Sequence, residues 1–165
     1  MISLKVAEVK SFMAKLLTNN TFDKFLLREM ELQTFTGFSI TGQVNESFFS
    51  KDELEERGDV KYIYWAEIRQ IAFSMIKGNK TPLSLKLVFQ LAKEQCEELI
   101  QGLGDKFKRE DLGGLFLNVR FEKGELRLIT GTAIKTFTLD KSLEHEWDQR
   151  VIAFLKGQGI VFEEE

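Results

Sequence analysis

The chain has 165 residues, is 43% apolar and contains a single proline, so it can bury one sizeable core and offers no obvious flexible linker. A formal net charge of −3 and a pI near 5.4 argue against a surface that binds nucleic acid over its whole area. The lone cysteine, Cys96, excludes an intrachain disulfide and a cysteine-rich metal site, and fits a reducing compartment. Met1 to Val6 lacks the cationic and apolar blocks of an export signal, and no later run approaches roughly 18 uninterrupted apolar residues. The expectation is a soluble cytoplasmic protein with no membrane contact.

In chain order, Ile2 to Val6 reads as a short strand. Val9, Phe12, Met13, Leu16 and Leu17 then recur at helical spacing, which places them on one face. Phe25 to Phe35 and Phe38 to Asn45 form a hairpin joined at Thr36-Gly37, with Phe38, Ile40 and Val44 on the buried side. Residues 45–61 form an acidic insertion carrying Asp52-Glu53-Leu54-Glu55-Glu56, a solvated segment or an acidic docking element. Trp65, Ile68, Ala72, Met75 and Ile76 stripe a helix closed by Lys77-Gly78.

The second half opens with a strand from Leu83 to Phe89 and a helix striped by Ala92, Cys96, Leu99, Ile100 and Leu103. Cys96 sits where Met13 sits and is expected to act as a small buried hydrophobe, because Glu97 and Glu98 disfavour a thiolate. Leu115, Leu117, Val119 and Phe121 alternate with Phe116, Asn118, Arg120 and Glu122. Lys123-Gly124 turns the chain into Glu125 to Gly131, and a further strand is expected over Ile134 to Leu139. Leu143, Trp147, Val151, Phe154 and Leu155 stripe a last helix closed by Lys156-Gly157.

Several segments of the first half recur in order in the second. Ile2-Ser3-Leu4-Lys5-Val6 matches Leu83-Ser84-Leu85-Lys86-Leu87, Ile40-Thr41-Gly42 matches Ile129-Thr130-Gly131, and Met75-Ile76-Lys77-Gly78 matches Phe154-Leu155-Lys156-Gly157. The reading is an α+β fold in one domain, 1–165, built of two pseudo-symmetric strand-helix-strands-helix repeats, 2–78 and 83–157, whose antiparallel sheet is covered by helices. Equivalent apolar stripes predict equivalent strand order, with Trp65 and Trp147 both buried.

Chemistry is sparse. His145 lies between Glu144 and Glu146 on the polar side of its helix, and with no second histidine and no cysteine cluster the usual zinc and haem ligand sets cannot be assembled. No Gly-x-Ser-x-Gly turn is present, and neither Gly102-Leu103-Gly104 nor Gly113-Gly114 has the spacing of a dinucleotide or Walker loop. No catalytic, cofactor or metal-binding residue is nominated, no cofactor is expected, and the reading leans away from an enzyme. Phe73 and Ile152, apolar and off the main stripes, are the candidate partner surface. Lys106, Phe107, Lys108 and Arg109 are the candidate phosphate or nucleic-acid contacts, flanked by Asp105, Glu110 and Asp111.

Three resemblances accompany this reading. Phe121-Glu122-Lys123-Gly124, followed by Thr130-Gly131 and an amphipathic helix, resembles the TATA-box-binding protein family and implies a saddle that presses on DNA. Leu115 to Ile129 resembles the paired strands of replication sliding clamps. Across nearly the whole length, from Ile2 to Val6 and Val9 to Met13 onward, the chain is similar to an uncharacterised bacterial domain-of-unknown-function family, which implies no activity. The functional expectation is a non-enzymatic binding or scaffold module for a protein partner or a second copy. A nucleic-acid-associated saddle or clamp comes next, disfavoured by charge, then a metal-assisted enzyme acting on a small molecule. The charge on the sheet face discriminates: a continuous basic strip favours nucleic acid and a mixed one favours protein.

Overall fold

A computed structural model of the chain describes residues 1–76 and 80–165. Strand β1 (Ser3–Val6) leads into helix α1 (Val9–Leu17), whose Phe12, Leu16 and Leu17 are buried as the spacing predicts. Strands β2 (Leu26–Gln33) and β3 (Gly37–Thr41) follow, then a short helix α2 (Lys51–Arg57) and helix α3 (Trp65–Ile76). The second half runs β4 (Ser84–Gln90), α4 (Lys93–Gln101), β5 (Leu112–Glu122), β6 (Glu125–Ile134), α5 (Ser142–Gly157) and β7 (Phe162–Glu164). The fold is α+β, with one antiparallel seven-stranded sheet in the order β3-β2-β4-β5-β6-β1-β7.

That order corrects the expectation of equivalent strand order. In the second half β4 pairs directly with β5, whereas β1, its expected counterpart, leaves β2 and lies between β6 and β7. β2 instead takes β4 as its neighbour. The apolar stripes require only that each element cover the core, and they leave open which strand it pairs with.

Burial alternates along the strands. Leu85, Leu87 and Phe89 of β4 and Leu115, Leu117, Val119 and Phe121 of β5 face a single core shared with α1, α3, α4 and α5. At its centre Phe22 lies against Phe12, Phe89 and Phe154 at ring-centroid distances of 5.4, 5.7 and 5.7 Å, joining both halves. Each such aromatic contact adds about 0.5–1.5 kcal/mol beyond the area it buries. Trp65 and Trp147 are both buried, but their indole N–H groups donate to different partners: Leu16 O at 2.8 Å and Phe116 O at 2.9 Å.

Two boundaries differ from the sequence reading. Ile134 ends β6, and no separate strand follows to Leu139. Gly157 is the last residue of α5, and the chain turns away at Gly159, whose φ of 71° suits glycine. The expected Lys77-Gly78 stop lies outside the described residues. The β5–β6 turn does form at Lys123-Gly124, where both residues have positive φ.

Candidate functional site

With the helices on one side, the other face of the sheet is open, and strand register determines which residues meet there. Lys86 of β4 lies opposite Arg120 of β5, Arg120 opposite Arg127 of β6, and Arg127 opposite Lys5 of β1. Four cations on adjacent strands thus form a transverse row, at the strand spacing of about 4.8 Å. Glu31 and Glu163 flank its two ends, and Glu29, Glu122 and Glu125 share the same face. The face is mixed in sign.

Most of the row is internally neutralised. Lys86 pairs with Glu29 at 3.2 Å, Lys5 with Glu125 at 3.3 Å, and Arg127 with Glu125 and Glu165 at 2.8 and 2.9 Å. Hydrogen bonds from Arg127 and then Lys5 hold the Glu125 carboxyl below its ordinary range. Arg120 is the exception: exposed and flanked by two cations, it has no carboxylate partner among the described residues.

Four residues from Arg120 along β5, at Phe116, the face becomes aromatic. A bulge between Leu27 and Glu29 turns Arg28 onto the face, where its guanidinium lies 4.2 Å from the Tyr62 ring centroid and 5.5 Å from that of Phe116. Its Nη1 donates to Gln90 Oε1 at 3.1 Å. Tyr62 arrives there because Lys61 to Tyr64 is drawn in beside the opening hairpin. Ile63 N donates to Gly42 O at 2.8 Å, and Leu27 N donates to Ile63 O at 2.8 Å.

The residues nominated from sequence are dispersed. Phe73 is 39% exposed on α3, whereas Ile152 packs against the core from α5, so the two do not share an environment. Lys106 and Lys108 are exposed, Phe107 packs against the core, and Arg109 reaches Glu97 at 2.6 Å. His145 is exposed on α5. Cys96 is buried, and desolvation pushes its thiol up to about 11, so it stays protonated at neutral pH. The acidic insertion contains α2, capped by a reciprocal Ser50–Glu53 box with no buried residue, so it stands clear of the core.

Among the described residues no group of three or more His, Cys, Asp and Glu side chains is placed to hold a metal ion. No described helix is long and apolar enough to cross a membrane. Sequence comparison places the chain more firmly than its chemistry does: the model of a family of unknown function, DUF5721, matches residues 15–163. The chain belongs to that family. No curated protein and no solved structure matches it. Membership in DUF5721 accounts for the whole-length resemblance and assigns no activity.

Proposed function

We propose that the chain is a non-enzymatic binding module of the cytoplasm, and that the open sheet face centred on Arg120 docks a protein. The observation that carries this reading is the unpaired Arg120 between Lys86 and Arg127. Like charges opposed across neighbouring strands destabilise a sheet by up to about 1 kcal/mol, and the fold gains nothing from them. A carboxylate on a partner would offset that repulsion and complete the ion-pair lattice already formed by Lys86, Arg127 and Lys5 with their glutamates. A partner surface of alternating sign with an acidic residue at its centre fits this face.

Nucleic acid fits it less well. The glutamates beside the row would repel successive phosphates, and the rings of Phe116 and Tyr62 are already covered by Arg28. The test places a photo-crosslinking residue at Glu122 on the open face, and at Gln149 on α5 as a control. The expected result is a discrete protein adduct from position 122 alone, lost when Arg120→Glu is added, and reproduced as salt-sensitive binding by the purified partner. Adducts indifferent to Arg120→Glu would overturn the assignment. So would binding of random-sequence single-stranded or duplex oligonucleotides at physiological salt that Arg120→Glu abolishes.

A further inference from the structure

A cleft of about 500 Å³ opens between Arg57–Tyr64, the first turns of α4 and the start of β5. Buried side chains make its floor: Leu26, Leu91, Cys96 and Ile100 are all at most 8% exposed. Its rim is charged, with Arg57, Lys61, Lys93 and Arg109 against Asp59 and Glu94. Arg57 is held by Glu67 through two hydrogen bonds, at 2.6 and 2.9 Å, and Arg109 by Glu97, both acids lying outside the cleft lining. Lys61 and Lys93 have no such partner among the described residues and remain available to a ligand. Tyr64 supplies an aromatic wall, and burial, then Glu94 and Glu67, raises its phenol above its ordinary value, so it stays a neutral donor.

We infer that this cleft binds a small amphiphilic anion, an aromatic or acyl body bearing one carboxylate, sulfonate or phosphate. The volume falls in the range of small-molecule sites, and an apolar floor beneath a few convergent polar groups is the usual build of one. The apolar body covers Leu26, Leu91 and Ile100 while the anionic group meets Lys61 and Lys93. With the Cys96 thiol protonated, the cleft holds the ligand without attacking it. The comparable cleft of about 510 Å³ between α4, α5 and residues 20–25 offers a single cation without an ion-pair partner among the described residues, Lys24, against two here, because its Arg150 is paired with Glu98 within the same lining.

The inference is independent of the sheet-face reading, since Arg120 does not line the cleft. Its test titrates the full chain with 8-anilinonaphthalene-1-sulfonate and, separately, with N-phenyl-1-naphthylamine, which has the same aromatic body and no charge. Saturable one-to-one binding of the sulfonate is expected, with amide NMR shifts confined to residues 61–64, 90–96 and 109–114. Affinity for the neutral analogue should be at least about tenfold weaker. Lys61→Ala with Lys93→Ala should weaken the sulfonate about five- to tenfold and leave the neutral analogue unchanged, with an unaltered circular dichroism spectrum showing that the variant is folded. Equal affinity for the two probes, shifts scattered over the surface, or a folded double variant that binds the sulfonate as tightly as the parent would overturn the inference. Arg120→Glu should leave the titration unchanged.

Discussion

The β2–β3 and β5–β6 hairpins carry the same Ile-Thr-Gly run and use it for different purposes. β5 and β6 stay paired from Glu122↔Glu125 to Leu112↔Ile134. β2 and β3 part beyond the hydrogen bond from Gly42 N to Arg28 O, and Ile63 fills the gap with hydrogen bonds to both sides. Gly42 is needed at that junction, because a Cβ there would lie 1.7 Å from Leu27 O, whereas one at Gly131 would meet nothing nearer than 3.8 Å. Matching residues do not establish matching roles. A glycine that enables an insertion in one half is simply tolerated in the other.

The sharpest way to break this comparison is to replace both glycines. Gly42→Ala should cost at least about 3 kcal/mol, since backbone must move to relieve the clash, while Gly131→Ala should stay within about 1 kcal/mol. Urea unfolding of the two variants measures the difference, and equal costs would remove the distinction. Next in size are the tryptophans. Trp65→Phe should cost about 2–3 kcal/mol by leaving Leu16 O unpaired in the core, and Trp147→Phe somewhat less because its carbonyl partner, Phe116 O, is only partly buried. Quenching of the parent's fluorescence should show two shielded indoles.

A smaller effect tests how the insertion is fastened in the first half. The hydrogen bonds from Arg57 hold the Glu67 carboxyl below its ordinary value despite partial burial, with Tyr64 N as a further donor. A depressed carboxylate stabilises the fold above its unfolded value, and that contribution is lost as pH falls through the folded value. Glu67→Gln should therefore cost up to about 1 kcal/mol at neutral pH, solvent screening included, with the difference from the parent shrinking as pH drops below about 4.5. Thermal melts at pH 7 and pH 3 measure it. The smallest expected change has the opposite sign: Arg120→Gln should raise stability by a few tenths of a kcal/mol, because it removes a cation flanked by cations. A loss of stability would show that Arg120 serves the fold.

Local pattern and the two hairpins were legible, and pairing between strands distant in the chain was not. Period 3.6 exposed the buried faces of α1, α4 and α5, and period 2 placed Arg120 on the polar side of β5, because both patterns lie within one element. The row it belongs to depends on register across β4, β6 and β1, which no single segment encodes. β7 escaped notice because Phe162-Glu163-Glu164 has neither length nor alternation, and its pairing with β1 spans nearly the whole chain. The cleft was missed for the same reason, since residues near 60, 93 and 112 meet only after β2 accepts β4. Gly113-Gly114 and Arg109 were noticed in sequence, but nothing local tied them to Lys61 or Lys93.

The placement of β1 also sets a schedule for the ribosome. Lys5 cannot meet Arg127 until β6 has been made, on the order of ten seconds later at ordinary rates of synthesis. During that interval β1 is an unpaired strand carrying Leu4 and Val6, which the finished protein buries completely or nearly so. Its other neighbour, β7, emerges later still. A nascent chain arrested after β4 therefore lacks both neighbours of its first strand and should be captured by chaperones that recognise exposed apolar strands, whereas one released after β7 can close the sheet at once.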